Sequence, residues 1–236
     1  MKEKVNIGVI GSGHLGKLHT KMFKETNSSF LKGIFDIDNS KAKAVAEEFD
    51  TQVFNSLKEL LQKVDAVSIA ATTTAHYMIA KECLNAGKHI FIEKPITATI
   101  PQAEELVNLA NSLNLNLQVG HIERFNPALL SVEKYIDDPK FIQTDRLAQF
   151  NPRGTDVAVV LDLMIHDIDI ILSLVKSKVK NVEASGVAIV SDNIDIANAR
   201  IQFENGRMSK CSLLMCHSAR SAWVIKRKSS FMSRWN

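Results

Sequence analysis

The stretch Val5-Asn-Ile-Gly-Val-Ile-Gly-Ser-Gly-His-Leu-Gly16 runs from an apolar strand pattern straight into Gly11-x-Gly13-x-x-Gly16. A second apolar run, Phe30-Leu-Lys-Gly-Ile-Phe35, ends at Asp36. Glycines at this spacing are weak evidence alone. Between a strand and a helix, with an acid about 20 residues further on, they read as a dinucleotide-binding turn. Gly11 permits the tight turn, Gly13 lets a pyrophosphate approach the backbone, and Gly16 lets the helix pack on the strand. The helix start at His14, Leu15 and Gly16 offers N–H donors and a partial positive charge. Asp36 would accept hydrogen bonds from the adenosine ribose hydroxyls and repel a 2′-phosphate. The expected cofactor is therefore NAD rather than NADP.

A chain of 236 residues with 45% hydrophobic and 23% charged content can bury one large core or two modest ones. No apolar stretch reaches the length of a membrane span, and Met1-Lys-Glu-Lys leads directly into the first strand, so no signal peptide is expected. Cys83, Cys211 and Cys216 have no metal-ligand spacing. They suit a reducing cytoplasm, with no metal expected and Cys83 a small core residue in a helix. The formal charge of +3 is concentrated at one end. Residues 217–236 hold Arg220, Lys226, Arg227, Lys228 and Arg234 with no acid, together with both tryptophans, Trp223 and Trp235. The rest of the chain is mildly acidic. A basic aromatic tail is a possible surface for nucleic acid or an anionic membrane. A solvated terminus is the simpler expectation, so neither partner is expected.

The first half alternates strand and helix patterns, the mark of βαβ units on a parallel sheet. Helical spacing over Ser40–Phe49 precedes a short buried strand, Ala66–Ala70, and a Thr72-Thr73-Thr74 loop. Ala75–Asn85 is helical, His89–Ile92 is a strand, and Pro101 sits in the first turn of another helix, where its missing N–H costs nothing. Leu115–Val119 is counted as the sixth strand and closes a doubly wound α/β domain over residues 1–120. Beyond Gly120 the pattern changes. Asn126-Pro127 reads as a helix start. An apolar helix spans Val157–Val175, and strands are expected at Ile142–Phe150, Val182–Val190, Ile194–Phe203 and Arg207–Leu214. Asn205-Gly206 is read as a two-residue hairpin turn. Residues 121–236 thus form a second, α+β domain with a mostly antiparallel sheet.

Lys94 follows a parallel strand at the carboxyl edge, where open α/β sheets bind ligands. Asp162 and His166 stand at i, i+4 and share a helix face. That helix is otherwise rich in valine, leucine and isoleucine, so a carboxylate and an imidazole there need a reason. Oxidising an alcohol requires a base for the hydroxyl proton and a cation beside the developing alkoxide, while hydride leaves for the nicotinamide ring. Ala71, Thr72, Thr73, His76, Glu93 and Lys94 lie at strand ends, on the side expected to line the cofactor. For His76 and His121, packing or hydrogen bonding is expected over catalysis. Arg124 and Arg153 offer guanidinium forks suited to a diphosphate; Arg124 could instead pair with Glu123 or a carbonyl.

Together, Gly11-x-Gly13-x-x-Gly16, Glu93-Lys94-Pro95 and Asp162-x-x-x-His166 resemble the Gfo/Idh/MocA oxidoreductase family from residue 5 to about residue 211. The segments His14–His19, Val119–Pro127 and Pro152–His166 are similar to one branch of it. That branch includes enzymes that oxidise the 3-hydroxyl of UDP-N-acetylglucosamine to a ketone with NAD, ahead of lipid A assembly, which is the activity the resemblance implies. The resemblance implies that Lys94 hydrogen-bonds the reacting oxygen, His166 carries the proton and Asp162 orients substrate or base. It also implies a homo-oligomer. Two other readings compete: oxidation of a different sugar or a cyclitol, and an NAD-binding protein without turnover that works through its basic tail. The family pattern fades after Cys211, so the second domain reads as truncated, with a tail beyond about residue 218 that covers its sheet poorly.

Overall fold

The computed structural model describes residues 4–149, 158–188, 194–216 and 222–226. The chain divides into two compact units, residues 1–120 and 121–236.

The first unit is a parallel sheet of β1 (Val5–Ile10), β2 (Ser29–Phe35), β3 (Ala66–Ile69), β4 (His89–Glu93) and β5 (Leu117–Gly120), in the order β2-β1-β3-β4-β5. The sheet has five strands and not six. Between β2 and β3 the chain contributes only a single bridge, Ile34 to Val53. The strands are joined by α1 (His14–Glu25), α2 (Asn39–Glu48), the short α3 (Leu57–Leu61), α4 (Thr73–Asn85) and α5 (Ile100–Ser112). Neighbouring strand residues point to opposite faces. Val9 and Ile34 therefore join one apolar cluster with Val45 and Ala46. Ile10 and Phe35 join the other, with Leu60, Leu84 and Leu106. A sheet covered on both faces explains why its strands read as near-continuous apolar runs.

The second unit opens with a 3-10 turn, Ile122–Phe125, and α6 (Pro127–Glu133), whose cap is as expected: the Asn126 side chain accepts from the Ala128 N–H at 3.0 Å. Its sheet contains β6 (Phe141–Gln149), β7 (Val179–Val187), β8 (Ile196–Phe203), β9 (Met208–Cys216) and β10 (Ala222–Lys226), in the order β10-β6-β9-β8-β7. Three of the four pairings are antiparallel, and β6–β9 is parallel. The apolar helix is a π-helical stretch, Val160–Met164, that continues as α7 (Ile165–Leu174). It packs Met164, Ile171 and Val175 against Ala197, Ala199, Ile201 and Phe203 of β8 and Leu213 of β9.

Two expectations are corrected here. The hairpin between β8 and β9 has a three-residue loop. Phe203 N–H donates to Arg207 O and Gly206 N–H to Phe203 O, and Gly206 alone takes positive φ, +79°. A two-residue Asn-Gly turn would need Asn205 at positive φ as well. The sheet also does not stop near residue 212. Ala222–Lys226 pairs antiparallel with β6, from Ala222 opposite Asp145 to Lys226 opposite Phe141. The run Trp223-Val-Ile225 has the aromatic and β-branched content that strands favour, a signal the surrounding basic residues masked. The remainder of the tail lies outside the described residues.

Candidate active site

In the first unit the candidate residues begin at the turn after β1. The Gly11 backbone lies at φ +95°, and a Cβ there would stand 2.5 Å from the Ala70 carbonyl oxygen. A Cβ on Gly16 would collide with the Gly11 carbonyl. Both glycines are required by the protein's own packing. Gly13 is different, because nothing lies within 4 Å of a Cβ built there. It is the N-cap of α1 and supplies no side-chain cap. The first N–H groups of a twelve-residue helix therefore face an exposed, uncluttered backbone. That is the cradle an anionic pyrophosphate needs, and His14 and Leu15 are exposed beside it.

Asp36 sits where β2 ends. One carboxylate oxygen accepts from Ser12 N–H at 2.6 Å and Ser12 Oγ at 2.7 Å, and the other from Asp38 N–H at 2.8 Å. These bonds aim the acid from the glycine turn. Ile37 between them is 97% exposed. The sequence reading passed over it, although an isoleucine between two acids on a loop was a visible signal.

Further along the same sheet edge, Thr72 is the N-cap of α4 without a side-chain cap bond, and Thr73 is buried. His76 is 1% exposed, with Nδ1 2.9 Å from the Pro95 carbonyl oxygen and Nε2 3.1 Å from that of Ala71. It is thus a buried hydrogen-bonding residue behind the strand ends. Lys94 is half-buried and is followed by a cis peptide bond to Pro95. Glu93 is buried, and its carboxylate meets His19 Nε2 at 2.9 Å and accepts the Lys94 N–H at 3.3 Å. His19 Nδ1 in turn meets the buried Ser68 hydroxyl at 2.8 Å. Glu93 therefore anchors its neighbours from within the unit. His19, 74 residues away in sequence, was not singled out, because no local pattern links the two.

The second unit carries Asp162, His166 and Asp169 at i, i+4 and i+7, all half-buried or buried. That spacing places them along one helical stripe, and the π-helical turn keeps Asp162 and His166 close to one face. Arg124 reaches this stripe. Its Nε and Nη2 donate to the two Asp169 oxygens at 2.6 Å each. The Arg124 fork thus pairs with Asp169, not with Glu123 or a carbonyl, and this carboxylate keeps its guanidinium pKa raised. His121 Nδ1 lies 4.0 Å from the same Asp169. Asp167 points the other way and is 2% exposed, with Arg146 Nε and Nη2 donating to its two oxygens at 2.9 Å. Burial pushes the Asp167 carboxyl up against the pull of Arg146. Sequence reasoning missed this pair. Arg153 lies outside the described residues.

Among the described residues no cluster of His, Cys, Asp or Glu could hold a metal ion, and no helix is long and apolar enough to cross a membrane. Cys83 and Cys211 are buried free thiols, pushed by burial to about 12 and about 11.

The family models match in the same two pieces. Residues 5–121 match an oxidoreductase family with an NAD-binding Rossmann fold, and residues 131–226 match the GFO/IDH/MocA C-terminal domain. The chain belongs to the Gfo/Idh/MocA oxidoreductase family. The first unit is the family's NAD-binding domain, and the match of the second runs through β10, beyond the Cys211 limit read from the sequence. A UDP-N-acetylglucosamine 3-dehydrogenase of Acidithiobacillus ferrooxidans is 39% identical over 203 residues, covering 86% of this chain and 64% of that protein. This chain thus spans less than two thirds of that relative. The solved structure of UDP-N-acetylglucosamine 3-dehydrogenase GnnA from the same organism superposes with a TM-score of 0.88 at 36% identity, over 96% of this chain and 75% of that one. An inositol 2-dehydrogenase of Rubrobacter xylanophilus is 28% identical over 195 residues, 78% of this chain and 56% of its own length.

Proposed function

We propose that this Gfo/Idh/MocA protein oxidises a sugar hydroxyl to a ketone with NAD, and that its substrate is the 3-hydroxyl of a UDP-N-acetylglucosamine-type sugar nucleotide. The observation that carries the reading is the presence in one chain of a dinucleotide cradle, with Lys94 at the same sheet edge of the first unit, and, in the second unit, a helix presenting Asp162 and His166 on one stripe. The 39% identity to a UDP-N-acetylglucosamine 3-dehydrogenase supports the choice of substrate.

Bound NAD supplies the hydride acceptor. Lys94 donates to the reacting oxygen and stabilises its developing negative charge, and His166 takes the hydroxyl proton. Asp162, one turn earlier, orients the imidazole or the sugar. Asp36 takes the adenosine ribose hydroxyls, and Ile37 offers an apolar surface to the adenine. Arg124 keeps Nη1 clear of its Asp169 pairing and uses it toward a substrate phosphate, with Arg153 assisting. Such a reaction on a nucleotide sugar fits the cytoplasm and a role ahead of lipid A assembly.

A second reading, oxidation of an inositol or another free sugar, draws on the similarity to inositol 2-dehydrogenases. Following NADH absorbance with UDP-N-acetylglucosamine, free sugars and inositols separates the two. Turnover confined to the sugar nucleotide is expected. Preference for an inositol would replace this reading with the second, and NAD binding without turnover on any of them would end both.

A further inference from the structure

The chain on the upstream side of Lys94 is already fixed, because the Lys94 N–H donates to Glu93, which is held in turn by His19. What holds the downstream side is the Pro95 carbonyl on His76 Nδ1. The opposite nitrogen of that ring faces the Ala71 carbonyl, on the loop that leads into Thr72 and Thr73. One buried ring therefore spans the two loops that leave β3 and β4. A neutral imidazole donates from one nitrogen at a time and a protonated one from both. Between two carbonyl acceptors the neutral ring donates to one and packs against the other, and an apolar side chain of similar size donates to neither.

We propose that His76 is a positioning residue for Lys94, tying the Lys94-Pro95 turn to the Ala71–Thr73 loop so that the lysine ammonium is held at a fixed place on the sheet edge. The proposal rests on the catalytic reading of Lys94. The glycine turn and Asp36 have their own contacts, to Phe35, Ser12 and Asp38, so loss of the ring leaves the adenosine and pyrophosphate positions in place. A displacement of about 1 Å in a reacting group costs about 10²-fold in rate. That is the loss expected when the bridge is removed.

The test compares His76→Leu with His76→Gln in the full chain, the glutamine amide retaining N–H donors. His76→Leu should lower kcat by about 10²-fold while the sugar KM and NAD affinity change by less than about threefold, and His76→Gln should recover a substantial part. Amide hydrogen exchange gives a readout independent of turnover. Residues 71–75 and 93–98 should exchange faster in His76→Leu, while β1 and β2 keep their protection. Unchanged kcat, unchanged exchange at those two loops, or an equal fall of kcat, NAD affinity and melting temperature in both variants would overturn the proposal. If the unmodified protein turns over none of the substrates, the reading of Lys94 falls, while the exchange data still decide whether the bridge exists.

Discussion

Among the described residues the two units have sheets of equal strand number, and these treat their polar groups differently. In the first unit both faces of the sheet are covered, and the polar groups at its carboxyl edge are held by histidines: His19 meets Ser68 and Glu93, and His76 lies between two carbonyls. In the second unit the helix covers the sheet at β8 and β9, while β7 is exposed along its whole length. There the helix is fixed by two forked Arg–Asp pairs, Arg146 to Asp167 and Arg124 to Asp169. A doubly covered sheet fixes its loops through short bonds of modest energy. A helix with less packing around it uses charge-assisted forks, whose geometry sets its rotation about its own axis as well as its position. The Asp167 pair turns the helix so that His166, the preceding residue, is carried on the neighbouring face.

The sharpest way to break this comparison is to remove one reacting group from each unit. Lys94→Ala and His166→Ala should each lower kcat by about 10²–10⁴-fold, the range of general acid–base assistance. NAD affinity, measured by titration, should stay near that of the parent in His166→Ala. Near-normal turnover in either variant would remove the role given to that residue.

Next in size is the buried fork. Asp167→Asn removes the charge that the Arg146 fork binds in a buried site, and breaking one partner of such a pair costs about 3–5 kcal/mol. Chemical denaturation should show the second unit unfolding early while NAD binding by the first persists. A loss below about 1 kcal/mol would mean that the fork does not hold the helix.

A smaller effect belongs to the cofactor's far end. Asp36→Ala should narrow the preference for NAD over NADP by roughly 10- to 100-fold, the worth of a hydrogen bond to a charged group. Calorimetry with both dinucleotides measures it, and equal affinities in the unmodified protein would dismiss the ribose role.

The smallest effect is at Asp38, which caps α2. The Ser40 hydroxyl, with the Lys41 amide, holds this carboxyl down at about 2 from its ordinary 3.8. A lowered folded-state value means that the stabilisation is complete above the ordinary value and is lost as pH falls through the lowered one. Asp38→Ala should therefore lower the melting temperature by about 2–4 °C at neutral pH, and the difference should vanish between about pH 4 and pH 2. A gap that persists at pH 2 would assign the effect to something other than the ionised cap.

What could be read from the sequence follows the range of the interactions. The Gly11–Gly16 turn and the Asn126 cap are encoded within a few residues of each other and stand in the structure as read, whereas the strands stand with shifted ends and the first sheet has five of them, not six. Arg146–Asp167, Arg124–Asp169 and His19–Glu93 join residues 21, 45 and 74 positions apart. No periodicity announces such partners; only the completed topology brings them together. The three-residue hairpin was missed for a third reason, since Asn-Gly suits more than one turn and the backbone around it decides.

Gly13 has a consequence of its own. Its neighbours in the turn are demanded by folding, whereas a Cβ on Gly13 would meet nothing of the protein itself. Folding and cofactor binding are therefore written on different residues of one short loop. A lineage that stopped needing the dinucleotide could replace Gly13 and keep an intact fold, whereas a replaced Gly11 or Gly16 would cost it the domain. The identity of that one position is thus a record of whether selection still acts on binding.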